Sequence, residues 1–243
     1  MFSIFKKNKP KLSELIPVGF VDIHSHILSN IDDGPKTVDD SVYLVNQMDS
    51  LGLKKIICTP HTFPGLYNNT NSTIELSYNK LIEKVQTKMD IEYASEYMLD
   101  FSIIDRMNKT KLLTLKEDYV LVEMSFISPP VKLYDILFEL QVHGYKIILA
   151  HPERYSFFYS NFNEYIKLKK IGVEFQLNLL STVDYYGNDV RKISDKLLKN
   201  NMIDYVGTDI HTKEHISSIK NSILKISEIS KLKEAIENNS KFI

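Results

Sequence analysis

From about residue 18 onward, short apolar runs rich in Val, Ile and Tyr alternate with longer stretches whose apolar residues recur at helical spacing. That alternation is the pattern of repeated βα units. It predicts strands at 19–23, 55–59, 91–95, 119–123, 146–150, 173–177 and 204–207. It predicts helices near 38–52, 72–88, 101–109, 131–143, 161–171 and 187–200, with one or two more in 214–238. Gly52, Gly144 and Gly172 each fall between a helical stretch and a strand, where a left-handed helix terminus is commonly required. No internal repeat, no Pro/Gly/Ser-rich linker and no shift of composition divides the chain. One domain over 19–243, preceded by an N-terminal extension of residues 1–18, is therefore expected. Strands alternating with helices imply an α/β fold with a mainly parallel sheet, either open or closed into a barrel. The eight glycines form no G-x-G-x-x-G turn after the first strand; His24-Ser25-His26 stands there instead, which removes the dinucleotide-binding reading.

Composition narrows the function classes. The 243 residues are 43% hydrophobic and 25% charged, enough apolar material for a sizeable core and unlike a disordered chain. The formal net charge of -1 gives no general attraction to phosphate backbones, so no nucleic-acid partner is expected. A single cysteine, Cys58, excludes an internal disulfide and cannot build a thiolate zinc site without other ligands. With no signal-peptide pattern and no apolar run of the length that spans a bilayer, a reducing, cytoplasmic location is expected, with no transmembrane segment. Residues 1–17 mix Phe and Ile with lysines. Weak contact with an anionic membrane surface would suit them, although a frayed, solvated tail explains the same residues.

The informative polar residues stand at the predicted strand ends. The first strand leads into Asp22-Ile23-His24-Ser25-His26, the second into His61, the third into Glu96, the fourth into Glu123, the fifth into His151, and the last into Asp209-Ile210-His211. The acidic loop Asp32-Asp33-Gly34-Pro35 follows the first strand. In a parallel barrel all C-terminal strand ends meet at one face. The one-residue gaps in His24-x-His26 and Asp209-x-His211 put both side chains of each pair on one side of an extended backbone. Carboxylates crowded on one rim would repel each other and raise their own pKa values unless cations were present. His24, His26, Asp33, His61, Glu96, Glu123, His151, Asp209 and His211 are therefore expected to hold metal. Nine ligands exceed the needs of one ion, so two or three are expected, and mixed imidazole and carboxylate donors suit Mn, Fe or Zn better than Ca or Mg. His143, His215 and Cys58 read as structural, and Tyr155, Tyr185 and Tyr186 as packing residues. A cysteine phosphatase is excluded, because Cys-x5-Arg would need arginine where Pro64 stands.

The ordered series His24-x-His26, Asp32-Asp33-Gly34-Pro35, Thr59-Pro60-His61, Glu96, Glu123, His151-Pro152-Glu153-Arg154-Tyr155 and Asp209-x-His211 resembles the polymerase and histidinol phosphatase (PHP) superfamily. Within it the series is most similar to the manganese-dependent tyrosine phosphatases of bacterial capsule and exopolysaccharide operons, the CpsB/CapC type. The resemblance runs from about Gly19 to the C-terminus. It implies a distorted, TIM-like barrel of about seven βα units with three ions at the C-terminal ends of the strands. By motif, His24, His26, Glu96 and Asp209 would hold one ion; Glu96, Glu123 and His151 a second; Asp33, His61 and His211 the third. Arg154 would bind the substrate phosphate, and manganese would be the metal. The basic residues that commonly follow the family's His motifs are weaker here, leaving Lys213 as a further substrate-binding candidate. Ser95 replaces the glycine that often precedes the bridging glutamate.

With no nucleophilic side chain in the set, the residues suit hydrolysis of phosphotyrosine by a hydroxide generated between cations, with His61 or Asp209 as candidates for proton transfer. The resemblance implies a phosphotyrosine protein as partner, the tail of a membrane-associated bacterial tyrosine kinase that controls polysaccharide synthesis. The alternatives are a small-molecule phosphomonoesterase of the histidinol-phosphate type, a polymerase-linked nuclease, and a non-catalytic module that binds phosphotyrosine.

Overall fold

The alternation of apolar residues inside each strand decides which face looks inward. In the strand Tyr119–Glu123, Tyr119 and Leu121 join one apolar cluster with Val21, Ile23, Ile57, Ile148, Ala150 and Phe242, while Val120 and Val122 join another with the helix residues Ile136, Leu137 and Leu140. The first cluster fills the inside of a barrel and the second lies between sheet and helices. Glu123, on the face of Tyr119 and Leu121, thus stands at the inner rim.

A computed structural model describes residues 9–243. Its strands are β1 (Val21–Ser25), β2 (Lys55–Cys58), β3 (His61–Thr62), β4 (Asp90–Tyr93), β5 (Glu96–Met98), β6 (Tyr119–Glu123), β7 (Lys146–Ala150), β8 (Glu174–Asn178) and β9 (Tyr205–Gly207). The helices are α1 (Val38–Asp49), α2 (Asn71–Ile82), α3 (Phe101–Met107), α4 (Leu133–Val142), α5 (Asn163–Lys170), α6 (Asn188–Lys199), α7 (Lys213–Asn221) and α8 (Ile229–Asn238). All strand pairs are parallel, in the orders β1-β2-β4 and β3-β5-β6-β7-β8-β9. β3 continues the path of β2, and β5 that of β4, across hydrogen bonds from Ala94 N to Cys58 O and from Glu96 N to Pro60 O. The predicted strands 55–59 and 91–95 correspond to β2 and β4, and each is followed by a short further strand that the pattern does not include, with Glu96 at the start of β5. Gly52, Gly144 and Gly172 have φ of 84°, 89° and 87°, the left-handed helix ends their spacing predicts.

The ring of strands closes between β9 and β1 without a regular ladder. Asp209 N donates to His24 O at 2.8 Å and His26 N to Ile210 O at 2.9 Å. Lower down, side chains substitute for backbone pairing. Buried Asn239 donates to Val21 O and Val206 O, both at 2.8 Å, and accepts from Val206 N at 3.1 Å. Buried Asp22 accepts from Thr208 N at 2.9 Å and from the Thr208 hydroxyl, and burial lifts its pKa to about 6 despite those bonds. Phe242, set edge-on between Tyr119 and Tyr205, plugs the barrel floor.

Residues 9–18 are packed against the barrel's helices instead of fraying. Leu12, Leu15 and Ile16 are buried in the largest core cluster, Leu12 N donates to Ser222 O, and Lys11 pairs with Ile223. Of the segment 1–17 weighed for membrane contact, residues 1–8 lie outside the described residues, and its apolar positions 12, 15 and 16 are occupied with the core. Leu12→Ala should cost about 2–5 kcal/mol, as for other deletions from a filled core. Urea unfolding would show it; a loss below about 0.5 kcal/mol, the surface range, would mean the segment is merely laid on. Among the described residues no helix is long and apolar enough to cross a membrane.

Candidate metal centre

Every strand exit that carries a histidine or carboxylate opens at the same mouth. His24 and His26 leave β1, His61 opens β3, Glu96 opens β5, Glu123 ends β6, His151 follows β7, and Asp209 and His211 follow β9. Two of these exits use left-handed backbone at a non-glycine residue: His151 at φ 35° and Asp209 at φ 51°. Such conformations persist only where surroundings enforce them, and they concentrate at functional sites. Gly207 has no room for a side chain, because a Cβ there would lie 2.6 Å from the Cβ of His24.

All nine side chains singled out in the sequence come together, in four overlapping groups whose donor atoms lie within 4.8 Å of one another. His24 Nε2 and His26 Nε2 face each other at 3.1 Å. Glu96 Oε2 lies 3.3 and 3.2 Å from these two nitrogens, and Asp209 Oδ1 lies 3.4 and 3.5 Å from them. Glu96 turns its other oxygen to His151 Nε2 at 3.0 Å. His61 presents Nδ1 to Glu123 at 2.8 Å and to Glu96 at 3.1 Å, and Nε2 to Asp33 at 3.6 Å. Asp33 also meets His211 Nε2 at 3.2 Å. These groups cut across the three ligand sets that the motifs suggest: Asp33, His61 and His211 stay together and are joined by His26, whereas His151 groups with His24 and Asp209, and Glu123 with His61 and Glu96.

The donors fit cations better than they fit each other. His61 Nδ1 and Glu96 Oε2 are buried and close to opposite partners, yet among the described residues neither finds a hydrogen bond of acceptable geometry. Lone pairs aimed at a shared point produce such approaches, and buried polar atoms left otherwise unpaired are rare. The electrostatics agree. Burial and neighbouring His61 would push His26 down, but Asp32 and Glu96 hold it up at about 10. Burial would raise Glu96 and Asp209, but the surrounding imidazoles keep both well below the carboxylate range. The carboxylates thus draw protons onto the histidines where divalent ions would supply the same positive charge, so metal uptake must release protons.

A layer of supporting polar residues, absent from the sequence reading, orients these donors. His24 Nδ1 is 2.7 Å from Gln176 Oε1, Gln176 Nε2 donates to Asn178 Oδ1 at 3.0 Å, and Asn178 Nδ2 donates to Asp209 Oδ2 at 2.7 Å. Gln176 and Asn178 occupy alternate positions of β8 while Phe175 and Leu177 face the helices. That alternation was the available signal in a strand that reads mainly as apolar. In the acidic loop, Asp33 reaches the donor cluster whereas Asp32 sits behind it. Buried Asp32 holds His26 Nδ1 at 2.8 Å and accepts from Gly34 N and His61 N. A carboxylate behind a ligating imidazole fixes its tautomer and raises its basicity. Asp32→Asn should weaken metal binding roughly ten- to a hundredfold, measurable by competitive chelator titration; wild-type affinity would contradict that role.

The mouth holds a cavity of about 300 Å³ lined by Asp33, Glu123, Phe126, Arg154, Tyr186 and His211, among others. Arg154 lies on its wall with its guanidinium 4.5 Å from the ring centre of Phe126 and 4.3 Å from that of Tyr186, and with Nη1 3.4 Å from Asp209 Oδ2. Tyr155 is a packing residue as expected: fully buried, its hydroxyl accepts from Met124 N and donates to Ala150 O. Tyr186 instead forms wall, and His215, expected to be purely structural, also lines the cavity, with Nδ1 accepting from His211 N at 3.2 Å. Lys213 does not line this cavity but a neighbouring cleft, which shares Asp33 and His211 with it. It begins α7, exposed, and pairs with Asp40 at 2.9 Å beside the ring of Tyr43.

Comparisons with known proteins agree with this architecture. The profile of the family described as capsular polysaccharide synthesis, CpsB/CapC, matches residues 20–236. The chain is 29% identical over 196 residues to CapC of Staphylococcus aureus, covering 79% of this chain and 77% of that protein. It is 28% identical over 195 residues to the tyrosine-protein phosphatase YwqE of Bacillus subtilis (strain 168), with the same coverage. Among solved structures, a chain from the crystal structures of YwqE from Bacillus subtilis and CpsB from Streptococcus pneumoniae, described as unique metal-dependent tyrosine phosphatases, superposes with a TM-score of 0.76. That match has 24% sequence identity and covers 91% of this chain and 93% of the other.

Proposed function

Because the chain belongs to the CpsB/CapC capsular polysaccharide synthesis family, we propose that it is a metal-dependent protein-tyrosine phosphatase. The observation that carries this reading is one cavity that sets a single arginine beside six of the nine donors, Asp33, His61, Glu123, His151, Asp209 and His211, with His24, His26 and Glu96 buried in contact with them. In this reading His24, His26, Glu96 and Asp209 hold one divalent ion, Glu96, Glu123 and His151 a second, and Asp33, His61 and His211 a third. Manganese is the proposed metal, and iron and zinc share its taste for mixed nitrogen and oxygen donors. Such ions, when bound, neutralise phosphoryl charge and bring the pKa of water toward neutrality.

The protein's own groups supply orientation and selectivity of charge. Arg154 offers a planar fork to two phosphoryl oxygens. The rings of Phe126 and Tyr186 pack against that guanidinium, so little rotamer freedom is lost when the phosphate arrives. Asp209, held by Asn178, anchors the rear of the same guanidinium. Tyrosinate, whose conjugate acid has a pKa of about 10, leaves without full protonation, and this is consistent with a site whose histidines and carboxylates are committed to ligation.

The proposed substrate is the phosphotyrosine-bearing tail of a membrane-associated bacterial tyrosine kinase that governs polysaccharide synthesis, encountered in the cytoplasm. Purified protein with Mn should release phosphate from a phosphotyrosine peptide and leave histidinol phosphate and single-stranded DNA essentially untouched. Preferential hydrolysis of histidinol phosphate would favour the small-molecule phosphatase, DNA cleavage the nuclease, and tight peptide binding without turnover the non-catalytic module.

A further inference from the structure

Resting on the reading of this site as a phosphomonoesterase, we propose that Phe126 is the residue that selects aryl over alkyl phosphates, by presenting its ring to the phenyl group of the substrate. The cavity is lopsided in chemistry. Its lining combines the charged donors with Arg154, and the aromatic carbon rings among its lining residues are those of Phe126 and Tyr186. A phosphate ester entering with its phosphoryl group toward Arg154 and the donors must bring its organic part alongside those rings. Tyr186 is partly buried and its face is covered by Arg154. Phe126 is 45% exposed, although its ring also meets the guanidinium and the rings of His151 and Tyr155.

The backbone explains why such an exposed aromatic residue is held in place. β6 ends at Glu123, and the next amide, Met124 N, is fixed by the Tyr155 hydroxyl at 2.9 Å. Ser125 Oγ then accepts from Ile127 N at 3.2 Å, turning the chain so that Phe126 folds back over Arg154 and His151. Pro129 and Pro130 stiffen the return. An exposed phenylalanine by itself means little, but one pinned at the lip of the cavity, 4.5 Å from the phosphate-binding candidate, offers an aromatic surface within reach of the leaving group. Aromatic pairs in offset or edge-on arrangement add to the gain from burial alone. An alkyl ester such as phosphoserine has no ring to place there.

The test measures binding apart from turnover. Calorimetry on the Mn-loaded protein would compare phenylphosphonate with methylphosphonate, for the wild type, Phe126→Ala and Phe126→Leu, each checked for metal content. The expected result is at least about tenfold tighter binding of phenylphosphonate by the wild type, falling below about threefold in Phe126→Ala and partly retained in Phe126→Leu. Equal weakening of both ligands would overturn the proposal by showing that Phe126 acts only by holding Arg154. So would an unchanged preference, or no preference in the wild type. Hydrolysis of a phosphotyrosine peptide, measured on the same samples, fails independently: absent turnover with preserved aryl preference would sink the phosphatase reading and leave the role of Phe126 standing.

Discussion

Glu96→Gln should lower phosphatase activity by at least about a hundredfold and reduce the metal bound per chain. Glu96 is fully buried and is the one carboxylate in contact with four histidines: His24, His26 and His61 through Oε2, and His151 through Oε1. The amide keeps the size of the side chain but removes its charge and turns one acceptor into a donor, which faces nitrogens that are themselves to be ligands. Loss of a supporting residue around a metal commonly costs ten- to a hundredfold, and a central donor shared between two sites should cost more. Metal analysis of the dialysed variant beside steady-state kinetics would show both effects. Normal metal content with normal turnover would remove Glu96 from the centre of the account.

Arg154→Ala is expected to divide kcat/KM for a phosphotyrosine peptide by roughly ten to a hundred while leaving bound metal unchanged. A hydrogen bond to a charged partner contributes about 1.5–3 kcal/mol, which sets that range. Arg154→Lys should restore little, since a lysine has no planar fork to match two oxygens and does not stack between Phe126 and Tyr186 in the same way. Retained metal separates this variant from Glu96→Gln: one loses the phosphate contact and the other the cage. Turnover unaffected by Arg154→Ala would contradict the assignment.

Much of the site was legible because its chemistry depends on residues whose spacing coincides with strand exits. His24-x-His26 and Asp209-x-His211 follow strands that pattern alone locates, and a parallel barrel must bring those exits to one mouth. The supporting polar residues were hidden for a physical reason: Gln176 and Asn178 sit on the inner face of a strand whose outer residues dominate its apolar reading, and Asn239 closes the β1–β9 seam from a helix end more than 200 residues away from Val21. Asp32 and Asp33 are neighbours with different tasks, one behind His26 and one facing His211, and only the turn of the loop distinguishes them. The strands β3 and β5 escaped because, at two and three residues, they are too short for apolar periodicity to register beyond Pro60 and Ser95. Lys213, the first residue of α7, pairs with Asp40 of α1, a contact that the spacing of its motif does not reveal. The burial of Leu12, Leu15 and Ile16 depends on distant core residues that a local reading of a lysine-rich start does not reveal.

The central claim, that these nine side chains jointly cage several cations, is tested most directly by anomalous diffraction at the manganese edge from crystals grown with Mn. Two or three peaks at the barrel mouth, each bounded by donors from the set His24, His26, Asp33, His61, Glu96, Glu123, His151, Asp209 and His211, are the predicted result. A map with no peak there, or with manganese held only elsewhere on the surface, would contradict it.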